Sequence, residues 1–260
     1  MNATPAAPAA PAASVAHKSP AKVDLPPKNP LVLPHSRPII ITIDGPAGTG
    51  KSSVARTLAK HLGLDFLDTG AMYRAAAAIV IDHQIDPNDV DAIVAQVHSA
   101  DLHFDWKTDP PTIMAWDKPI AARIRDADVT AIVSPIAGIA ELRRLMVGEQ
   151  RLIAHDHPRL VTEGRDQGTV VFPDAAVKFY LDATPEVRAT RRADQLKAAG
   201  RTADFAELLR DIIARDQSDS TRSDGPLRAP PDAIRIDTSA MTFEQVVETL
   251  EREVWARASK

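Results

Sequence analysis

The run "PIIITIDGPAGTGKSSVARTLAKHL", residues 38–62, constrains the fold more than any other stretch of the chain. Ile39 through Ile43 are β-branched with no alternation of polar positions, the pattern of a short strand buried on both faces of a parallel sheet. A glycine-rich loop follows. Beyond Lys51, the spacing of Val54, Leu58 and Leu62 puts an apolar stripe on a helix. Gly45, Gly50, Lys51 and Ser52 satisfy G-x-x-x-x-G-K-[ST] in the strand–loop–helix setting that this pattern requires. Glycines let backbone N–H groups turn inward around a phosphate, and the helix N-terminus adds partial positive charge. The stretch Gly45, Pro46, Ala47, Gly48, Thr49, Gly50, Lys51, Ser52 and Ser53 is therefore the expected cradle of a nucleoside triphosphate. Lys51 is expected on the outer phosphate oxygens and Ser52 on Mg²⁺.

The rest of the chain alternates strand and helix. "LDFLD" (64–68), "RLVTEG" (159–164), "AVKFYLDA" (176–183) and "AIRIDT" (233–238) read as strands. Helical patterns cover "AMYRAAAAIVIDH", 88–98, 128–154, 184–197 and 203–219, and Thr242 with Gln245 makes a capping box for a last helix. Such alternation argues for α/β architecture, a P-loop NTPase-type parallel sheet flanked by helices. "DLHFDW" and "PTIMAW" break the pattern and read as short antiparallel strands in an insert of about 97–136. The first 36 residues are rich in Pro and Ala, offer little apolar area to bury, and read as a disordered tail before a single domain, 37–260.

Composition excludes several classes. A net charge of −4 gives no reason to expect a nucleic-acid partner, and with no cysteine there is neither a disulfide nor a thiolate metal site. The start lacks the basic-then-apolar pattern of a secretory signal, and no run approaches the ~20 apolar residues of a membrane helix. A soluble, cytoplasmic, monomeric enzyme domain with no membrane partner is the expectation, since nothing demands more than a monomer.

The phosphate loop alone leaves motor, GTPase, transporter ATPase and kinase open. The chain has no N-K-x-D to read guanine, which moves the reading toward kinases. Three further segments would face the same cleft. "DTGAMYR" (68–74) follows the second strand and offers the Thr69 hydroxyl, the Tyr73 ring and the Arg74 fork; its alternative role is a helix start capped by Asp68 or Thr69. "EGRDQGTVVFPDA" (163–175) puts Arg165 and Asp166 at the carboxyl end of another strand. "ARDQSDSTR" spaces Arg215, Asp219 and Arg222 along one helix face, and the stripe Phe205, Leu208, Leu209, Ile212 is expected to pack that helix on the core. Upstream, Arg188, Arg191, Arg192 and Arg201 read as a small mobile flap, a lid of about 184–202. Phosphoryl transfer explains the density of arginine, because charge spread over three equatorial oxygens must be stabilised and water excluded.

Together these segments resemble the bacterial cytidylate kinase family, a branch of the nucleoside monophosphate kinases. "IDGPAGTGKSS", "LDTGAMYR", "GRDQGTVVFPDA" and "ARDQSDSTR" stand in the family's order, and the resemblance runs from about Pro38 to the C-terminus. It implies transfer of the ATP γ-phosphoryl group to CMP or dCMP with Mg²⁺. Thr69, Tyr73, Arg74, Arg125, Ser134, Arg143, Arg165, Asp166, Arg215 and Asp219 would then bind CMP. Lys51, Arg165, Arg191, Arg215 and Arg222 would be catalytic, with Arg191 and Arg192 in the lid. Ser218 and Glu163 depart from residues that some members carry (Arg and Asp). Other small-molecule kinases on the same scaffold, shikimate kinase among them, and a nucleotide-gated regulatory module are the alternatives.

Overall fold

The computed structural model describes residues 37–258; the Pro/Ala-rich tail reading lies outside them. The strands expected from the apolar runs form β1 (Ile39–Asp44), β2 (Asp65–Asp68), β6 (Arg159–Gly164), β7 (Val177–Asp182) and β8 (Ile234–Asp237). They make one parallel sheet in the order β2-β6-β1-β7-β8. The isoleucine-rich β1 lies at its centre, where both faces are covered, and Ile41 and Ile43 are fully buried. On one face, α1 (Lys51–Leu62) packs with α8 (Phe243–Ala258) through Val54, Leu58, Leu62, Val247 and Leu250. On the other, α2 (Thr69–Asp82), α3 (Val90–Ser99), α4 (Ala127–Ala137) and α5 (Ala140–Asp156) build a second core around Met72, Ile79, Ile93 and Leu142. The capping box forms as expected: the Gln245 backbone N–H donates to Thr242 Oγ1 (3.3 Å), and the Thr242 N–H to Gln245 Oε1 (2.9 Å).

The break in alternation is real. β3 (His103–Asp105), β4 (Thr112–Ala115) and β5 (Lys118–Pro119) form a separate antiparallel sheet. Its tip leans on the main sheet's flank. The Trp106 ring stacks on His157 with centroids 3.7 Å apart, and His157 Nδ1 lies 2.9 Å from Asp65 Oδ2. Arg56 of α1 donates to the Asp109 carboxylate (3.1 Å) and its carbonyl (3.0 Å).

Two expectations need correction. The helical pattern over 128–154 is two helices, α4 and α5, with Gly138 and Ile139 between them. The stripe on α7 (Phe205–Thr221) does not join either core. Phe205 and Ile213 are exposed, Leu208, Leu209 and Ile212 are only half-buried, and the helix packs chiefly on α6 (Pro185–Ala198). An amphipathic period reports a shared apolar face; here that face meets another helix of a protruding hairpin.

Candidate active site

Loops from β1, β2 and β6 converge at the carboxyl end of the sheet, where open parallel sheets bind ligands. With α4 and the α6–α7 hairpin they enclose a cleft of about 540 Å³. Its floor is the phosphate loop. Gly45 starts the loop at φ +147°, and a Cβ there would fall 2.0 Å from the Leu181 carbonyl oxygen, so the tight turn against β7 admits only glycine. Ala47, Gly48, Gly50, Lys51, Ser52 and Ser53 face the cleft, while Pro46 and Thr49 brace it from behind. The Pro46 carbonyl accepts from Lys51 Nζ (2.7 Å) and Thr49 Oγ1 (3.2 Å). Burial, helped by the Arg165 charge, pushes the Lys51 ammonium down to about 7.

The wall opposite comes from β2, α2 and the insert. Asp68 caps α2 by accepting the Ala71 N–H (2.9 Å), so the capping role and the cleft role of "DTGAMYR" hold together. Thr69 Oγ1 donates to the Glu163 carbonyl (2.7 Å). Arg74 reaches across to Thr130 Oγ1 (3.1 Å), and Arg125 and Ser134 line the same wall, Ser134 donating to Asp219 (3.3 Å).

Past β6, Arg165 Nε donates to Asp219 (2.8 Å) and Nη1 to the Gly45 carbonyl (3.1 Å). Asp166 forms a buried ion pair with Arg143, whose guanidinium lies 5.4 Å from the centre of the Tyr73 ring. Gly225 closes over that pair with φ +54°; a Cβ there would lie 2.3 Å from the Asp166 carboxylate. Arg215 and Arg222 complete the cluster, Arg222 Nε donating to the Gly225 carbonyl (2.6 Å). Arg215 Nε and Arg222 Nη2 are buried without a hydrogen-bond partner. Burial lowers both guanidinium pKa values, to about 10 for Arg215, and like charge adds to it: Arg165 beside Arg215, Arg143 beside Arg222. Arg74 is lowered the same way, by burial and then by Arg192, Arg125 and Arg165. Cations this crowded, some with unmet donors, suit a polyanion.

Most of the residues expected from sequence meet in this cleft. Arg191 does not. It donates to Thr238 Oγ1 (3.1 Å) and the Thr238 carbonyl (2.7 Å), while Arg192 faces the cleft. Successive helical residues point about 100° apart, so the two cannot share a face. Arg188 does not face the cleft either. It is buried, donating to the Ala183 carbonyl (2.9 Å), the Ala47 carbonyl (3.2 Å) and, bidentately, to Asp216 (3.0 and 2.5 Å). Ser218 is exposed.

Sequence reading missed the acidic side of the site. Ser52 Oγ donates to Glu163 Oε1 (2.7 Å), and Asp68 stands next to Glu163. Burial, then the Glu163 charge, lifts the Asp68 carboxyl to about 7. Position at the ends of adjacent strands β2 and β6 was the available signal. Among the described residues, no group of three or more Asp, Glu, His or Cys would hold a metal by itself.

The family model for cytidylate kinase matches residues 41–255, nearly all of the described chain. The chain belongs to the cytidylate kinase family. The cytidylate kinase of Corynebacterium efficiens is 47% identical over 80% of this chain and 91% of its own length. Those of Mycobacterium avium (45%; 83% and 94%) and Azotobacter vinelandii (42%; 85% and 97%) are similar over comparable spans. Family membership makes the chain a nucleoside monophosphate kinase, a phosphotransferase, and removes the regulatory module and the shikimate-type kinase as readings.

Proposed function

We propose that this chain moves the γ-phosphoryl group of ATP to the phosphate of CMP or dCMP, releasing ADP and CDP or dCDP. One observation carries the reading within the family: a single cleft holds the phosphate loop and, facing it, arginines 74, 125, 165, 215 and 222. Two phosphate-bearing substrates have cationic partners there, on opposite sides of one gap.

No protein nucleophile is required. An oxygen of the acceptor phosphate attacks the γ-phosphorus; the bond to the bridging oxygen breaks, and its electron pair stays on the β-phosphate of ADP. Lys51 and the backbone N–H groups of 47–52 hold the donor phosphates. Arg215 and Arg222 meet the transferring group and Arg165 bridges it to the acceptor nucleotide, while Thr69 and Arg74 hold the acceptor phosphate. Arg125 and Ser134, on the insert, complete the acceptor pocket, and the Arg143–Asp166 pair beside Tyr73 faces the base. Arg192 approaches from α6, the element that corresponds to the lid. Arg191, tied to Thr238, points away from the reacting phosphates.

A magnesium ion fits the oxygen set of the Ser52 hydroxyl with the Glu163 and Asp68 carboxyls. A few protein oxygens plus substrate phosphates is the usual coordination of Mg²⁺ in kinases. Bound there, the ion would neutralise phosphate charge. A cleft completed by one chain supports a monomer, and the net charge of −4 argues against nucleic acid as a partner. No helix among the described residues is long and apolar enough to cross a membrane, in keeping with action in the cytoplasm.

The test is ADP release with ATP, Mg²⁺ and each nucleoside monophosphate in turn. CMP and dCMP should turn over well and UMP poorly; absence of acceptor-stimulated turnover would refute the reading. Asp166→Asn should relax the CMP-over-UMP preference, since an ionised Asp accepts from the cytosine amine where uracil presents an oxygen. Unchanged selectivity would remove Asp166 from base recognition.

A further inference from the structure

We propose that Asp44 is a positioning residue for the acceptor nucleotide, its carboxylate holding the 165–168 loop in register with the phosphate loop. Asp44 is the last residue of β1, fully buried, and directly precedes Gly45. Its Oδ1 accepts the Gln167 N–H at 2.8 Å and its Oδ2 the Gly168 N–H at 2.7 Å. These two N–H groups open the π-helical turn 167–171, where a helical segment has no backbone acceptors of its own. One carboxyl group therefore satisfies two donors of the neighbouring loop, one on each oxygen.

The tie is made from both sides. Arg165 Nη1 returns a bond to the Gly45 carbonyl, so β1 grips the backbone of the second loop while a side chain of that loop grips the backbone of the first. Sliding is blocked at Gly168, where a Cβ would lie 2.9 Å from both Thr42 Oγ1 and Pro230 Cγ. Arg165 and Asp166 immediately precede the clamped amides, so their aim toward Asp219 and Arg143 depends on it. The phosphate loop's own bonds, from Lys51 and Thr49 to the Pro46 carbonyl, do not involve the Asp44 side chain. Loss of the clamp thus falls on the acceptor half.

The measurement is steady-state kinetics of Asp44→Asn with an independent binding titration for ATP. Asparagine keeps one acceptor oxygen and turns an NH₂ against the other N–H. KM for CMP should rise at least about tenfold, equivalent to about 1.4 kcal/mol, while the Kd for ATP stays within about threefold. A KM for CMP within twofold of the parent overturns the proposal; so does a loss of ATP and CMP binding in equal measure, which marks a merely structural role. Should Asp44→Asn not fold, amide exchange in the unaltered protein decides: the Gln167 and Gly168 amides must exchange at least about 100-fold slower than unprotected amides before any nucleotide is added, and fast exchange refutes the clamp. The proposal rests on the acceptor site assigned above. Arg165→Ala and Asp166→Ala separate the two: if neither raises KM for CMP, that assignment fails, and if both do but Asp44→Asn does not, only the clamp fails.

Discussion

Arg188→Met tests whether the buried arginine of α6 is a brace or a substrate-facing group. Arg188 is 2% exposed and spends its guanidinium on three partners: the Ala183 carbonyl after β7, the Ala47 carbonyl of the phosphate loop, and Asp216 of α7. Methionine fills most of the same volume, so the cavity cost is small. Each lost charged hydrogen bond is worth about 1.5–3 kcal/mol. Two effects reduce the sum. The Asp216 side chain, 26% exposed, regains water, and the desolvation of Arg188 itself is no longer incurred. A net loss of about 2–3 kcal/mol follows, and at about 2–4 °C per kcal/mol the Tm should fall by about 4–12 °C. Urea unfolding of Arg188→Met, Asp216→Asn and the double variant should give a coupling energy of at least about 1 kcal/mol, and ATP affinity should weaken because Ala47 loses its support. The reverse pattern, unchanged stability with kcat lowered at least about 100-fold, would show that Arg188 acts on the substrates and refute the brace.

Two further outcomes follow from the buried charges. ATP binding without metal at pH 8 should take up protons: Lys51, held near pKa 7 by burial, must be ammonium against phosphate. Calorimetry in two buffers of different ionisation enthalpy reads the uptake; identical apparent enthalpies would contradict it, and Lys51→Ala should diminish it. Asp68, with a folded pKa of about 7 against an ordinary value of 3.8, binds an extra proton in the folded state between about pH 4 and 7. Its stabilisation is complete below that window and is lost as pH rises through 7. Asp44 acts in the same direction, so Asp68→Asn, which keeps a capping side chain on α2, should roughly halve the loss of stability between pH 5 and 7.5. An unaltered slope would place the proton elsewhere.

The backbone plan was readable because it depends on local patterns: β-branched runs for buried strands, glycine where β1 must turn under β7, Thr242 and Gln245 at a helix start. Residues facing the cleft were readable wherever they follow a strand, since topology fixes that end of the sheet. What failed was side-chain direction on helices outside the core. Arg188, Arg191 and Arg192 are equivalent in composition, but a turn of 100° per residue sends one inward, one to Thr238 and one to the cleft. The α7 stripe failed for a related reason, as periodicity does not say which partner covers a face. Glu163 was seen only as a departure, because its bond to Ser52 spans 111 residues of sequence.

The contact between Trp106 and His157 joins the insert, which carries Arg125 and Ser134 to the cleft wall, to the rim of the central sheet. An indole stacked on an imidazole has an emission that depends on the distance between the rings and on the imidazole's charge. Any rotation of the insert relative to the sheet must slide one ring over the other. With Trp116 and Trp255 replaced, Trp106 is therefore an optical gauge of insert position, readable without an attached dye.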